Sequence, residues 1–436
     1  MTIELNNPKT VRAWYMYDWA NSVYSLVITS AIFPVYYKAV AVSDNGDLVS
    51  FFGFSINNSV LYSYALSFSF LVVAAMLPLL SGVADYAGKK KFFMKVFVLL
   101  GSASCMGLYF FRDLSTLEWG IFCSVMASIG FSGSQVFYNA FLPEIVTEDQ
   151  YDMVSAKGYS MGYYGSVLLM LIAMGLIMNH SVFGFGSEGA ATRFTFLLVG
   201  LWWVGFAQIT FSALPTNPYG RKPAGKILSQ GYNEVLKVWK SLSHTPDLKR
   251  FLISFFFYNM GVQTVMYLAT LFGTDVLHLD SSRLIATILI IQLVASFGAW
   301  LFARVSQARG NKTALIIMIM IWIMVCLVAY VISNEVQFYL LAAVVGMIMG
   351  GIQSLSRATY SKLIPENTID HASYFSFYDV TYNLSIVLGT FSFGLINHIT
   401  GSMRNSALAL AVYFVIGLVA LLRIQSRDIT APTTSR

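Results

Sequence analysis

Three ionisable side chains, Asp18, Arg357 and Asp379, fall inside long apolar stretches of this 436-residue chain. A charge surrounded by hydrocarbon is costly, so such residues seek partners and mark ion, proton or substrate paths. Arg357 lies five residues before Lys362, about 7–8 Å from the end of its helix at 1.5 Å per residue. Asp379 reaches a similar depth in the next, antiparallel stretch, so an Arg357–Asp379 pair is expected at a gate. The alternative is an arginine that snorkels to the surface. Asp18 sits one to two turns into the first apolar stretch, where a helix dipole favours a carboxylate. Buried there, it would serve as a proton-binding group. These three are the candidate gate or proton-coupling residues.

Neutral hydrogen-bonding groups interrupt the same stretches: Gln135, Asn139, Asn259, Gln263 and Gln353, with Tyr17, Asn21 and Tyr258 beside them. Such groups either bind a polar ligand or join helices at about 0.6 kcal/mol each. Together with Asp18 they are the expected lining of a substrate cavity. So few fixed charges suit a zwitterion or a weakly polar solute better than a polyanion. The five histidines lie in loops or near the ends of stretches, so a histidine proton relay is not expected. Cys105, Cys123 and Cys326 are isolated in apolar surroundings, which predicts neither a disulfide nor a metal site. No catalytic constellation is visible and no cofactor is expected, which disfavours a membrane-embedded transferase.

The elements that must position these groups are membrane spans. The chain is 57% apolar and 11% charged, with a mean hydropathy of +0.66, whereas soluble domains carry about 25% charged residues. Apolar runs fall near residues 13–41, 59–82, 92–111, 118–142, 156–178 and 193–214. Six more follow near 250–273, 284–304, 313–333, 336–361, 373–396 and 405–425. At about 20 residues per crossing, these predict twelve transmembrane helices in an all-α fold, with little sequence over for a soluble domain. The first stretch has no short apolar core with a small-residue cleavage site, so a retained helix is expected.

With both termini inside, 21 of the 27 basic residues are cytoplasmic; Lys38, Arg112, Arg193, Arg283 and Arg404 lie outside. The positive-inside rule therefore selects that orientation. The net charge of +6 reports topology, and nucleic acid is not an expected partner. One inside loop dissents, being acidic at Glu144, Glu148, Asp149 and Asp152. Residues 215–249 divide the chain into an N-terminal bundle, 1–214, and a C-terminal bundle, 250–436. Within that linker Leu228, Tyr232, Val235, Trp239 and Leu242 recur in steps of four and three, flanked by lysines. This predicts an amphipathic helix, lying either on the inner membrane surface or against the base of the bundle.

The halves echo each other. Tyr17-Asp18-Trp19-Ala20-Asn21-Ser22 opens the first stretch, and Tyr258-Asn259-Met260-Gly261-Val262-Gln263 opens the seventh. Gly133-Ser134-Gln135 and Gly351-Ile352-Gln353 occupy the fourth and tenth, each followed by a Pro-Glu pair, Pro143-Glu144 and Pro365-Glu366. Paired halves with a site between them are the architecture of rocking transporters.

The segment Ser81-Gly82-Val83-Ala84-Asp85-Tyr86-Ala87-Gly88-Lys89-Lys90-Lys91 resembles the loop between helices two and three of the major facilitator superfamily. Asp85, Gly88, Lys89 and Lys90 match its pattern, while Ser81 and Tyr86 depart from it. In the second half Gln307, Gly310 and Lys312 hold the equivalent places, and the aspartate is lost. Tyr17–Ser22 and Phe137-Tyr138-Asn139-Ala140-Phe141-Leu142-Pro143 are similar to the "unknown major facilitator" family, related to vacuolar amino-acid effluxers. The resemblance covers essentially the whole chain. It implies alternating access, with helices one, four, seven and ten around a central cavity, and Asp85, Gly88, Lys89 and Lys90 as a conformational latch. Gly88 would permit the reversal, Asp85 would face a helix N-terminus, and the lysines would hold the loop at the anionic leaflet. Gly82 and Gly88 do not fit a phosphate-binding GxxxxGK[ST] loop.

The expected activity is therefore secondary transport of a small organic solute, amino acids among the candidates, across a bacterial inner membrane. A coupling proton or cation and membrane lipid are expected partners of a monomer. A muropeptide or amphiphile permease on the same fold is the first rival, and a sensor is a second.

Overall fold

The computed structural model describes residues 4–43, 46–217, 219–221, 227–277 and 281–430. Twelve long helices dominate these residues. The first six are Pro8–Val40, Asn58–Ala87, Lys90–Phe110, Leu114–Ile145, Glu148–Met178 and Glu188–Ala213. The seventh is Pro246–Leu277. The rest are Ser281–Arg309, Asn311–Val331, Glu335–Leu363, His371–Thr400 and Met403–Leu422. Eleven of them contain windows of mean hydropathy from 1.2 to 2.9. In hydrocarbon every backbone polar group must be satisfied within the segment, so long apolar sequence of this kind folds as helix. The seventh is 32 residues long, ample for a 30 Å core.

The first helix changes pitch: Pro8–Val23 is α, Tyr24–Ala31 is π, and Ile32–Val40 is α again. Pro34 follows the π segment, and its missing N–H is consistent with the widened turn before it. A two-stranded hairpin, Leu48–Phe51 with Phe54–Asn57, caps the way into the second helix. No apolar-run pattern announces it.

The first helix packs on the fifth and sixth, the third on the fourth and sixth, and the second on the fourth. In the second half the seventh packs on the eleventh and twelfth, the eighth on the tenth, and the ninth on the twelfth. Helices eight and ten approach backbone to backbone: a Cβ on Gly298 would stand 1.9 Å from the Met347 carbonyl oxygen, and one on Gly350 1.9 Å from that of Ala295. Small residues permit such contact in membranes, and it holds Gln353 and Arg357 rigidly. Between the halves, helix five meets eight and ten, while helix eleven meets two and four.

The linker helix, Ile227–His244, lies on the base of the bundle against helix two. Gly231 makes this possible, because a Cβ there would be 2.5 Å from a Val83 methyl and 2.8 Å from the Val83 nitrogen. Val238 and Leu242 are buried, whereas Tyr232 and Trp239 are 56% and 63% exposed. Of the expected stripe Leu242 is buried and Val235 partly buried, whereas Tyr232 and Trp239 turn outward and their neighbours Gly231 and Val238 take the inner positions. Glycine, not an aromatic, makes the nearest approach. The side chain of Leu228 lies outside the described residues.

Candidate functional site

Asp18 and Arg357 form a buried ion pair. Arg357 Nη2 lies 3.3 Å from Asp18 Oδ2, with side-chain exposures of 2% and 5%. Arg357 Nε donates to Ser155 Oγ at 2.9 Å, Nη2 to the Ser155 carbonyl at 2.9 Å, and Nη1 to Asn139 Oδ1 at 3.4 Å. Its guanidinium also faces the rings of Tyr159, Trp14 and Tyr138 at 4.4, 4.8 and 5.4 Å. Tyr138 donates to Asp18 Oδ2 at 2.7 Å. A guanidinium with its donors engaged in this way can remain charged in a water-poor site. Gly158 on helix five makes the room: a Cβ would lie 2.3 Å from Asp18 Oδ2 and 2.8 Å from Arg357 Nη2.

This corrects the expected Arg357–Asp379 pair. Arg357 reaches helix one across the interface between the halves, not the adjacent helix eleven. The snorkelling alternative fails too, since Arg357 is 1% exposed. Asp379 is 6% exposed, and its Oδ2 has no hydrogen-bond partner among the described residues.

Beside the pair opens a cavity of about 170 Å³. Asp18, Gln135 and Asn139 line one wall, and Gln263, Gln353 and Asp379 the other. Six of the expected residues therefore converge on one space. Tyr17, Asn21, Tyr258 and Asn259 do not line it. Tyr17 packs against Tyr138 at 4.7 Å and Asn21 is fully buried. Tyr258 bonds Ser356 at 2.7 Å, and Asn259 donates to Ser385 Oγ at 2.6 Å. These four stand behind the wall and hold its helices. Ser22, Ser25, Thr29 and Ser30 on helix one, Tyr159 and Tyr163 on helix five, and Gln292 on helix eight also line the space. Their signal in sequence is faint: short hydroxyls and tyrosines are common in membrane helices. The π segment is what turns Ser25, Thr29 and Ser30 inward together.

At the linker end the cavity is closed by contacts between the halves. Tyr163 donates to Gln353 Oε1 at 2.8 Å. Asp85 accepts from the backbone N–H groups of Ser373 at 2.7 Å and Ala372 at 3.3 Å, and from Ser373 Oγ at 2.8 Å. The carboxylate thus caps the N-terminus of helix eleven, as expected of a helix dipole. Gly88 terminates helix two in the left-handed region, φ +65°. Lys90 departs from expectation. It is 3% exposed, bonds Glu144, and stands 4.0 Å from Asp85, so it belongs to the closure and not to the leaflet. Lys89 is exposed.

The second half repeats the arrangement. Asp152, at the start of helix five, accepts from Asn311 Nδ2 at 2.7 Å, Ser306 Oγ at 2.9 Å and Lys362 Nζ at 2.8 Å. Of the acidic loop that dissented on charge, Glu144 and Asp152 are buried, paired with Lys90 and Lys362. Glu144 also meets His371 Nδ1 at 3.1 Å. Its sequence echo Glu366 is exposed. Outside the spans, Lys237 and Arg221 converge on Asp370. Burial pushes that carboxyl up, but their hydrogen bonds outweigh it and hold it below the ordinary aspartate value.

Comparison with known proteins places this architecture. The vacuole effluxer Atg22-like family matches residues 6–429. An uncharacterised transporter of the major facilitator type from Bacillus subtilis, YxiO, is 33% identical, covering 95% of this chain and 94% of its own. Autophagy-related protein 22 of Kluyveromyces lactis is 22% identical over 94% and 92%. Among solved structures, a proton:xylose symporter, XylE, superposes with a TM-score of 0.72 at 11% identity, covering 98% of both chains. The fucose:proton symporter of E. coli gives 0.70 at 12%, over 96% and 98%. With twelve spans, a polar cavity between the halves and a family match along almost its whole length, the chain belongs to the Atg22-like vacuole effluxer family and is an integral membrane transporter of the major facilitator superfamily.

Proposed function

We propose that this protein moves a small organic solute, amino acids first among the candidates, across the bacterial inner membrane by alternating access. Residues 1–214 and 250–436 are the two halves that rock, and residues 215–249 join them. Both termini and the linker are cytoplasmic, and the conformation described is open away from the cytoplasm. The observation that carries this reading is the cavity: both halves supply its polar walls, and among the described residues the cross-half bonds that seal it lie at the linker end. Its upper part continues past Leu26, Thr29 and Ser30 toward Tyr62 and Leu284, at the ends of the helices remote from the linker.

Size supports a small solute. An apolar cavity of about 150 Å³ holds benzene, and the inner part of this one, about 170 Å³, favours a small solute over a muropeptide. The resemblance of Tyr17–Ser22 and Phe137–Pro143 to a family related to vacuolar amino-acid effluxers, beside the match to the vacuole effluxer Atg22-like family, favours amino acids within that range. Asp85, Gly88, Lys89 and Lys90 serve as the latch, with Asp18 and Arg357 as the gate. The protein acts as a monomer, with a proton or another cation as the coupling species and lipid as its surroundings.

The test is counterflow in proteoliposomes loaded with single amino acids. Accumulation of label above protein-free vesicles, abolished by Arg357→Gln, is expected. Absence of counterflow for all twenty, with folded protein, would overturn the amino-acid reading. Labelling of a cysteine placed at Lys240 from outside intact cells would overturn the orientation.

A further inference from the structure

The two carboxylates of the cavity are not equivalent. Asp18 is neutralised by Arg357 at 3.3 Å. Asp379 has no such partner: its Oδ2 is buried and accepts no hydrogen bond among the described residues, although its side chain lines the cavity. No lysine, arginine or histidine lines that space among the described residues. Among the described residues Asp379 is therefore the carboxyl of these walls without an ion-pair partner, in a region where an ion left without a counter-charge is expensive. Two further features surround it. Tyrosine rings of Tyr159, Tyr378 and Tyr382 line the same space, and Tyr159 already accepts a guanidinium over one face at 4.4 Å. Gln292 Oε1, also on the cavity, is a second acceptor without a donor.

We infer that Asp379 is an ammonium-binding residue and that the solute carried by this transporter presents a protonated amine to it. A carboxylate with aromatic faces beside it is the chemistry that recognises organic ammonium ions. It is poor chemistry for an inorganic cation, which asks for several oxygen ligands in a shell. Since Arg357 is held by Asp18, Ser155 and Asn139, a carboxylate on the solute finds only neutral donors. Recognition rests on the amine, and amines without a carboxylate bind as well as zwitterions do.

The inference rests on the cavity being the solute site, but its test needs no transport. Purified protein is titrated calorimetrically with n-butylammonium chloride, n-butanol and sodium butyrate at constant ionic strength, and separately with sodium chloride alone. Butylammonium is expected to bind, and the other three not to. Asp379→Asn is expected to weaken butylammonium roughly 10- to 100-fold, the range for losing a hydrogen bond to a charged group. Asp379→Glu, which keeps the charge, is expected to retain most of the affinity. It also shows that position 379 accepts a substitution without loss of the fold. Equal butylammonium affinity in wild type and Asp379→Asn overturns the inference. So does an Asp379-dependent response to sodium chloride without one to the amine, which would assign an inorganic cation. Binding of butanol or butyrate independent of Asp379 overturns it too, while leaving the cavity as a solute site. Silence from every probe sinks it as well, and counterflow then decides separately whether transport stands.

Discussion

Removing either partner of the Asp18–Arg357 pair should tip the conformational balance of the whole molecule. The pair joins helix one to helix ten, residues 339 apart in sequence, so it exists only while the halves are closed at the linker end. Breaking a buried pair by deleting one partner costs about 3–5 kcal/mol. The exposures of 2% and 5% leave no solvent to soften that cost. At 1.4 kcal/mol per tenfold, the low end alone changes the ratio of the two conformations by roughly 150-fold. A resting preference of a few kcal/mol would be erased. The two variants should differ. In Asp18→Asn the guanidinium keeps Ser155, Asn139 and three rings. In Arg357→Gln the carboxylate keeps only the Tyr138 hydroxyl. Arg357→Gln should therefore be the more severe, and the double variant should recover part of the loss, with a coupling of about 0.5–3 kcal/mol. Gly158→Ala should push the same way by steric means, since its Cβ would fall 2.3 Å from Asp18 Oδ2. The readout is a pulsed electron resonance distance between spin labels at the exposed positions Lys89 and Glu366, on opposite halves. The expected result is a longer distance in each single variant. Unchanged distances, or strict additivity in the cycle, would refute the reasoning.

Gly231→Leu should undock the linker helix from Val83, because its Cβ has no room; limited proteolysis near residue 230 should accelerate, and an unchanged cleavage rate would contradict the packing. Asp85→Asn should slow solute exchange at least severalfold while leaving binding affinity within a few-fold, because Asp85 caps helix eleven and lies outside the cavity lining. A large affinity loss with normal exchange would show the latch assignment to be wrong. Asp370 has its carboxyl held below the ordinary value, so its contribution is complete above about pH 4 and disappears as pH falls through the lowered value. Thermal stability should drop below about pH 4 in the wild type, and less in Asp370→Asn, which has already lost the ionised partner of Lys237 and Arg221.

The spans were legible because hydrocarbon admits little besides helix, and the seventh to twelfth runs match the helices within a few residues. Gln135 and Gln353 could be read from the internal repeat, and both face the cavity. Depth could be read as well: Asp18, Arg357 and Asp379 are all buried. Direction around the helix axis could not. Sequence spacing says how far Arg357 lies from a helix end, but not which neighbour its face meets, and the neighbouring helix in sequence was the wrong choice. Gly158 and Ser155, on one face of helix five, were the available hint. Their small side chains leave space for a large one from elsewhere, although glycine in a membrane helix has many other uses. The π segment had no signal beyond Pro34. Lys90 misled because a basic cluster at a helix end ordinarily faces lipid head groups, and its partner Glu144 lay in a loop whose acids carry little weight in topology.

In the loop of the second half Gln307 stands in the place of Asp85, so the latch motif there lacks its acid. The two closures tell another story. In one, the loop supplies the acid and helix eleven supplies the donors; in the other, helix five supplies Asp152 and the loop side supplies Ser306 and Asn311. The acceptor lies on opposite sides of the loop–helix contact in the two closures, and both contacts are made. A comparison of the halves that scores each loop alone counts as eroded a half that is whole, because the unit that closes the molecule is the loop together with the helix it meets.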